Sequence, residues 1–354
     1  MAHLAILGAG VMGSALAVPA RANGHRVTLF GTPLDEDIVR SVTGSGYHPR
    51  LDLTLPAGVE ALGAEAFDAT LLSGADALIV AVSSAGIGWA GDRLRSCERL
   101  GTVGLITKGL VPNESGPPLT YADTVPRLLS EAGIAHGGFV GIGGPCIARE
   151  IALGVPTATS YASHDRGAAI RLGQLLDTDV YRIHLSDDVV GLEACAALKN
   201  FLAIGVSATI SAHLVESAGA VNERSMPAKN PTAALFTQAT GELERLVGWI
   251  GGQPATAHGL AGAGDLHVTV GGGRNSRLGR LLGEGMRVQA ALDGPLAGET
   301  VEGRDTGRVL GPALRAAQAE GAMPALPLTD ALLEAIERDA PLRFDYRLLG
   351  DLRR

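Results

Sequence analysis

Two lysines, Lys108 and Lys199, stand in segments that are otherwise apolar. Lys108 ends the run Leu105–Thr107, and Lys199 lies inside the long apolar stretch 190–210. An ammonium group in such a place either reaches water through its flexible stem or is held in a polar pocket. Burial in a pocket would lower the pKa of the amine toward neutrality, as a general acid or base requires. Both are therefore candidate catalytic residues, with a surface lysine as the alternative for Lys108.

Polar residues near Lys199 and in the last third of the chain could complete a site. Asn200 is adjacent to Lys199, and Glu193 precedes it by two helical turns as the expected counter-ion. Arg274 and Asn275 follow the triplet Gly271-Gly272-Gly273. Arginine binds phosphate with two parallel hydrogen bonds, and glycines let backbone N–H groups approach the same anion. The pair predicts a phosphate site, unless Arg274 is simply an exposed loop residue.

Near the N-terminus, Gly8, Gly10 and Gly13 form G-x-G-x-x-G between an apolar strand and a helix. In that context the first glycine makes the tight turn, the second admits a pyrophosphate and the third allows close helix–strand packing. The free N–H groups of the helix N-terminus then favour the phosphates. The sequence thus predicts a bound dinucleotide.

The choice between NAD and NADP stays open from the sequence. An acid at the end of the second strand normally bonds the ribose 2′-OH of NAD, but the chain reads Phe30-Gly31-Thr32-Pro33 there. No arginine in this stretch marks a 2′-phosphate pocket either. Thr32 is the candidate for a hydroxyl or a phosphate. Asp35 and Asp37 are interpreted as solvated loop acids, with direct contact to the cofactor as the alternative.

These residues need an α/β scaffold followed by a helical one. Apolar runs alternating with helical segments predict a doubly wound parallel sheet, with strands at 3–7, 26–30, 77–82, 102–107 and 139–142. After about Ser186 helical patterns dominate, at 189–212, 233–248, 277–282, 307–320 and 328–338. We place a dinucleotide-binding domain at 1–187 and a helical substrate-binding and catalytic domain at 188–354. The stretch 219–231 reads as a surface loop.

Composition narrows the class of protein. A net charge of −8 argues against a nucleic-acid-binding protein, which needs a concentrated surplus of Lys and Arg. Three cysteines without metal-ligand spacing make a disulfide scaffold or a metal site improbable. Glycines interrupt the apolar N-terminus, and no apolar run reaches membrane-spanning length without glycine or charge. We expect a cytoplasmic protein without membrane insertion.

Together the motifs resemble the NAD(P)-dependent glycerol-3-phosphate dehydrogenase family from near the N-terminus to about residue 310. The matching segments are GAGVMGSAL at 8–16, TKGL at 107–110, GPCIARE at 144–150, ALKN at 197–200, GAGDL at 262–266, GGRN at 272–275 and VEG at 301–303. The resemblance implies a Rossmann-like N-terminal domain and an all-helical C-terminal domain of the 6-phosphogluconate-dehydrogenase type. It also implies a homodimer and a small phosphorylated substrate.

The resemblance further implies roles for individual residues. Lys199 would be the general acid/base on the C2 oxygen, and Lys108 a second cation near the reacting carbonyl and the cofactor. Asn200, Asp265 and Thr269 would hold the lysine and the substrate hydroxyls. The remaining implied residues are Gly144 and Cys146 for the substrate, Arg274 and Asn275 for its phosphate, and Val11, Met12, Ala148, Arg274 and Glu302 for NAD or NADP.

The implied reaction is reversible hydride transfer between NAD(P)H and dihydroxyacetone phosphate, giving sn-glycerol 3-phosphate. Arg149, Cys146 and Gly273 differ from the residues common at their positions, and 219–231 does not match at an arginine that many members carry. These departures concern substrate fit. Two alternatives are a related dehydrogenase acting on another phosphorylated polyol or a hydroxy acid, and a non-enzymatic NAD(P)-sensing protein.

Overall fold

A computed structural model describes residues 1–215 and 226–349 of the chain. The strands are β1 His3–Leu7, β2 Arg26–Phe30, β3 Tyr47–His48, β4 Leu53–Thr54, β5 Val59–Leu62, β6 Ala77–Val80, β7 Arg99–Leu100, β8 Thr102–Leu105, β9 Ala135–His136, β10 Phe139–Gly143, β11 Thr157–Ala162, β12 Tyr181–Ser186, β13 Leu214–Val215 and β14 Met226–Pro227.

The α-helices follow in the same numbering scheme. They are α1 Val11–Ala22, α2 Glu36–Ser45, α3 Ala69–Ser73, α4 Ile87–Arg95, α5 Tyr121–Glu131, α6 Ala148–Ala152, α7 Arg166–Leu176, α8 Val189–Ala212, α9 Lys229–Ile250, α10 Asp265–Gly271, α11 Arg274–Gly283, α12 Val288–Asp293, α13 Glu302–Ala319 and α14 Pro327–Arg338. A π-helical turn at Leu260–Gly264 leads directly into α10.

Eight strands form the main sheet, in the order β12-β11-β10-β8-β6-β1-β2-β5. β1 lies between β2 and β6 and is parallel to both. Strands β1, β2 and β6 are almost fully buried, as expected for parallel strands covered by helices on both faces. The predicted doubly wound sheet is confirmed, and it brings the carboxyl ends of β1, β2, β6 and β8 to one edge.

The sheet also contains three strands that the sequence patterns did not predict, β5, β11 and β12. β11 pairs with β10 in the antiparallel direction, and β12 pairs with β11 in parallel. β12 alternates partly buried and exposed residues, including Arg182 and His184, so it lacks the continuous apolar run by which the inner strands were found. In addition, β6 ends at Val80 and β8 at Leu105, two residues before their predicted ends.

The chain divides into two compact units. The first comprises Met1–Lys108 and Tyr121–Glu193, and the second comprises Gly109–Thr120 and Ala194–Arg354. The division between the units falls within α8, and the short segment Gly109–Thr120 groups with the helical unit. The predicted loop at 219–231 lies largely outside the described residues, and its end contains β14 and the start of α9.

The helical unit is built on close helix contacts. A Cβ at Gly279 would collide with the backbone oxygen of Ile204, and one at Gly283 with that of Ala208. Only glycine at these positions lets α11 approach the backbone of α8 so closely. Helix α8 is long and apolar enough to span a membrane, but 94% of its most apolar window is buried inside the protein. It has the character of a core helix rather than a clear membrane span.

Candidate active site

The three fingerprint glycines differ in what surrounds them. Gly8 has a φ of +115°, and a Cβ there would lie 2.6 Å from the carbonyl oxygen of Ala81. A Cβ at Gly13 would collide with the carbonyl oxygen of Gly8, so α1 packs directly on the turn. No atom lies within 4 Å of a Cβ built at Gly10. The space beside Gly10 is where a pyrophosphate would approach the backbone.

The N-terminus of α1 is open for an anion. Its N-cap is Gly10, which has no side chain to cap the helix, and the first turn carries no acidic residue. Val11 begins the helix and is 39% exposed. The first N–H groups of a helix have no partner inside it, and they lie at the positive end of its dipole. The turn and helix therefore fit the pyrophosphate of a dinucleotide.

A buried carboxylate fastens the glycine turn to the end of β2. Asp35 is 6% exposed, and its Oδ2 accepts hydrogen bonds from the backbone N–H of Ala9 at 3.3 Å and from that of Thr32 at 2.9 Å. The Thr32 hydroxyl donates to the same oxygen at 2.8 Å. The interpretation of Asp35 as a solvated loop acid is thus wrong, because these bonds hold it inside. Asp37 is exposed, as predicted.

His48, which no sequence pattern marked, holds the turn from the other side. The ring is fully buried and its Nε2 donates to the carbonyl oxygen of Ala9 at 3.2 Å, while Nδ1 accepts from the N–H of Leu51 at 3.0 Å. Burial is the main cause that lowers the pKa of His48 below its ordinary value. No motif signals this residue, since it acts from a two-stranded hairpin 39 residues after Ala9.

The carboxyl edge of the sheet carries a small cavity that brings several predicted residues together. Its lining residues include Met12, Lys108, Gly144, Cys146 and Thr159. Lys108 follows β8 by three residues, as a side chain at this edge of a parallel sheet should. Ala148, also predicted near the cofactor, is partly buried against the core of the same unit. Met12 and Lys108 thus share one cavity with two candidate substrate residues.

Lys199 is held in a polar pocket inside the helical unit. It is 4% exposed, and its Nζ donates to Oδ1 of Asp265 at 2.9 Å and to Oγ1 of Thr269 at 2.6 Å. Thr269 in turn donates to the backbone oxygen of Asp265 at 2.7 Å. Two acceptors from α10 hold the amine in place, and the lysine side chain does not extend into water. Glu193, the expected counter-ion, accepts from the backbone N–H of Ala122 at 2.7 Å.

The π-helical turn before α10 positions Asp265. Leu260–Gly264 forms a π-helical turn, a distortion that is frequent at functional sites. A Cβ at Gly262 would collide with the backbone of Ala257, so this position requires glycine. The turn places Asp265 at the first position of α10 with 2% exposure. The helical patterns used in the sequence analysis did not predict either the turn or α10.

A second hydrogen-bonded network, of two side-chain amides and one carboxylate, lies beside Lys199. Asn200 donates from Nδ2 to Oε2 of Glu302 at 3.0 Å, and its Oδ1 accepts from Nδ2 of Asn275 at 3.0 Å. The Oδ1 of Asn275 accepts from the backbone N–H of Gly303 at 2.9 Å. The network ties α8, α11 and α13 together around Asn200. The Asn275 side chain is 8% exposed and serves as a brace in this network.

Arg274 stands at a helix N-terminus preceded by a glycine turn. It is the first residue of α11, whose N-cap Gly273 has a φ of +89°, and no atom lies within 4 Å of a Cβ at Gly271, Gly272 or Gly273. Arg274 is exposed, and its side chain makes no ion pair with any residue in the described ranges 1–215 and 226–349. A guanidinium beside unpartnered helical N–H groups is suited to a phosphate.

The chain uses lysine sparingly. It contains only three lysines, Lys108, Lys199 and Lys229, among 29 basic residues, so 26 are arginine. Two of these three, Lys108 in the first unit and Lys199 in the second, are the candidate catalytic residues. Arginine stays charged at any ordinary pH, whereas a lysine amine can release and take up a proton. This choice of residue fits a site that moves a proton.

Comparison with known proteins agrees with this architecture. Residues 3–169 match the N-terminal family of NAD-dependent glycerol-3-phosphate dehydrogenases, and residues 188–343 match the corresponding C-terminal family. A crystal structure of glycerol-3-phosphate dehydrogenase from Coxiella burnetii aligns over 96% of both chains with a TM-score of 0.76 and 27% identity. The yeast enzyme, at 20% identity and a TM-score of 0.75, shares the fold.

Curated relatives cover the chain closely. The NADP(+)-dependent glycerol-3-phosphate dehydrogenase of Archaeoglobus fulgidus is 33% identical over 82% of this chain and 82% of its own length. The glycerol-3-phosphate dehydrogenase [NAD(P)+] of Halorhodospira halophila is 33% identical over 98% of this chain and 96% of its own length. By its two family matches, its relatives and its fold, the chain belongs to the NAD-dependent glycerol-3-phosphate dehydrogenase family.

Proposed function

We propose that this protein is a glycerol-3-phosphate dehydrogenase that uses NAD or NADP. It interconverts dihydroxyacetone phosphate and sn-glycerol 3-phosphate by reversible hydride transfer. The observation that carries the proposal is the pocket of Lys199, a nearly buried amine bonded to Asp265 at 2.9 Å and Thr269 at 2.6 Å. The amine sits in the same helical unit as Arg274 and its glycine turn. Lys199 is suited to transfer a proton, and Arg274 with its glycine turn is suited to bind a phosphate.

When bound, the nicotinamide would supply a hydride to C2 of the substrate or accept one from it. In reduction, the ammonium of Lys199 donates a proton to the oxygen that develops negative charge on C2. In oxidation, the neutral amine accepts that proton from the hydroxyl. Asp265 and Thr269 fix Nζ by the two hydrogen bonds above, so the amine needs no reorientation during the step. Lys108 adds positive charge that stabilises the developing oxyanion.

The phosphate of the substrate is recognised by the start of α11. Arg274 contributes its guanidinium, and the backbone N–H groups of Arg274 and Asn275 contribute helix-terminal donors. The Asn275 side chain is engaged with Asn200 and Gly303, so it shapes the site and its main chain meets the anion. Gly144 and Cys146, beside Lys108, complete the substrate contacts. A carboxylate substrate would not need this phosphate cradle.

Most of the residues that would hold the cofactor lie in the first unit. Gly8, Gly10, Val11, Met12 and Gly13 bind its pyrophosphate side, and Thr32 lies where β2 ends. Ala148, Glu302 and Arg274 complete its contacts, with residues 1–187 as the dinucleotide-binding domain and 188–354 as the substrate domain. The enzyme works in the cytoplasm as a homodimer. Light scattering on a size-exclusion column should give twice the chain mass of 36.2 kDa.

The test is to follow the oxidation of NADH and of NADPH with a panel of ketones. The panel contains dihydroxyacetone phosphate, unphosphorylated dihydroxyacetone, other phosphorylated ketones and 2-oxo acids. We expect turnover with dihydroxyacetone phosphate and a kcat/KM for dihydroxyacetone lower by about a hundredfold or more, because the phosphate contacts are lost. Activity on 2-oxo acids alone would overturn the assignment of substrate. Cofactor binding without any turnover would support an NAD(P) sensor instead.

A further inference from the structure

We propose that Arg50 determines cofactor choice by binding the 2′-phosphate of NADP, so that the protein prefers NADP(H) to NAD(H). The inference rests on the proposed function only in that a nicotinamide dinucleotide occupies the fingerprint. No arginine directly follows β2 in the sequence, yet the structure brings one to the loop there from 20 residues beyond Phe30. It comes from the turn between β3 and β4.

The β3–β4 hairpin is fastened at three points. His48 bonds the carbonyl oxygen of Ala9 in the glycine fingerprint. Asp52, at the far side of the turn, accepts from Arg149 at 3.0 Å and from the Tyr47 hydroxyl at 2.8 Å. Leu51, between these positions, is 1% exposed. The turn that carries Arg50 is therefore held at a fixed place beside the fingerprint.

The guanidinium of Arg50 reaches the loop after β2. Its Nη2 lies 3.5 Å from the carbonyl oxygen of Leu34 and 3.7 Å from Oδ1 of Asp37. In a dinucleotide-binding fold the adenosine ribose lies just beyond the carboxyl end of β2, where an acid bonds the 2′-OH of NAD and an arginine accommodates the 2′-phosphate of NADP. Arg50 thus occupies the region in which this choice is made.

The neighbouring groups at this loop are committed to internal contacts. Oδ2 of Asp35 accepts three hydrogen bonds, from Ala9, from the Thr32 backbone and from the Thr32 hydroxyl. The Thr32 hydroxyl donates its one proton to Asp35, and its oxygen accepts a hydrogen bond from the N–H of Leu34 at 3.2 Å. It has no proton left to donate to a phosphate. Asp35 holds the glycine turn to the end of β2. A buried carboxylate with these internal bonds is poorly placed to bind the ribose 2′-OH and so to select NAD.

Arg50 can exchange its present partner for a phosphate. Its side chain is 53% exposed and that of Asp37 is 62% exposed, and such solvated ion pairs are weak. A phosphate carries more charge than a carboxylate and accepts two parallel N–H bonds from a guanidinium. Glu36 and Asp37 begin α2 close by and would repel the same phosphate. The attraction between Arg50 and the phosphate outweighs this repulsion.

The experiment measures dinucleotide binding without substrate, by the change in nicotinamide fluorescence. Wild type should bind NADPH more tightly than NADH. The R50Q variant should raise the Kd for NADPH by about tenfold or more, since charged hydrogen bonds are lost, and change the Kd for NADH less than about twofold. R50K keeps the charge without the planar fork and should fall between. R26Q, which removes an exposed arginine from the start of β2, is the matched control and should match wild type.

Salt dependence gives a second reading that does not depend on the level of activity. In wild type the Kd for NADPH should rise with salt more steeply than that for NADH, and in R50Q the two slopes should become parallel. Tighter binding of NADH than NADPH by wild type, or equal losses for both in R50Q, would overturn the role of Arg50 and leave the dehydrogenase proposal standing. Failure of wild type to bind either dinucleotide would overturn both.

Discussion

Nζ of Lys199 lies 2.9 Å from Oδ1 of Asp265, and the two side chains are only 5% and 3% exposed. A buried ion pair is rarely the most stable arrangement, because taking both charges out of water costs about as much as their attraction returns. Apolar residues of similar volume would pack there at no loss of stability. The pair is therefore better explained by what the amine does than by what it adds to folding.

Removing Asp265 alone should separate the effect of the ion pair on stability from the role of the amine in activity. Asp265→Ala leaves an ammonium in a site with 4% exposure, and the free energy of unfolding should fall by about 3–5 kcal/mol. The double variant Lys199→Met, Asp265→Leu should recover most of that loss while remaining inactive. Urea unfolding of the three proteins measures this. Equal stability of the single variant and wild type would contradict the assignment of a buried ion pair.

The fingerprint glycines should respond differently to alanine. A methyl group at Gly10 meets no atom within 4 Å, and its φ of −66° suits alanine, so Gly10→Ala should keep the wild-type melting temperature. It should nevertheless raise the Kd for NADH and NADPH by about tenfold or more, because the methyl group occupies the approach of the pyrophosphate.

Gly13→Ala is the counterpart. Its methyl group collides with the carbonyl oxygen of Gly8, so α1 must shift and the melting temperature should fall by several degrees. Differential scanning fluorimetry, run beside the binding titrations, distinguishes the two. A large loss of stability in Gly10→Ala with intact binding would mean that the open space there is not a cofactor site.

Arg274→Gln should weaken binding of the phosphorylated substrate far more than it slows the reaction of the unphosphorylated one. We expect KM for dihydroxyacetone phosphate to rise by about tenfold or more, as loss of a charged hydrogen bond implies, with a much smaller change in the already poor rate on dihydroxyacetone. Arg280→Gln is the control, since Arg280 is an exposed residue in the last turn of the same helix. If kcat/KM falls by the same factor for both substrates, Arg274 does not bind the phosphate.

The stability of the first unit should fall in mild acid. Burial, with a smaller effect from Arg50, lowers the pKa of His48, against the opposing effects of its Ala9 hydrogen bond and Asp35. The folded protein therefore favours the neutral ring. Its contribution to stability is complete above the ordinary value of 6.5 and is lost as pH falls through the lowered value.

His48→Gln should flatten that part of the pH profile. Melting temperatures measured between about pH 7 and pH 4.5 should decline less steeply in the variant than in wild type, because the titrating group is gone. The other histidine with a lowered pKa, His3, provides the comparison, and His3→Gln should leave most of the slope in place. Identical slopes in His48→Gln and wild type would remove His48 from this explanation.

The sequence predicted those parts of the molecule that depend on local pattern. Continuous apolar runs identified β1 and β2 to the residue, and the apolar stretch after Ser186 identified α8. The glycine spacing predicted a turn whose three positions now differ as expected in the space around them. Each of these signals is contained within about twenty residues of chain.

What the sequence did not predict depends on contacts between distant residues. Helical spacing favoured Glu193 as the counter-ion of Lys199, and only the family resemblance implied Asp265, which accepts from Nζ although it lies 66 residues away. Asp35 appeared to be a loop acid until its bonds to Ala9 and Thr32 were seen. His48 and Arg50 reach the cofactor end of β2 from a hairpin that no motif marks. Periodicity reports which face of an element is buried, but it does not report which partner meets it.

Lys199 should move the proton in the reduction of dihydroxyacetone phosphate, and Lys199→Met tests this role most directly. Loss of a general acid or base should lower kcat by about a hundredfold to ten-thousandfold, while the Kd for the dinucleotide stays within about twofold of wild type. Lys229→Met, at an exposed lysine that is also followed by asparagine, should keep wild-type kcat. Near-normal turnover of dihydroxyacetone phosphate by Lys199→Met would contradict the mechanism.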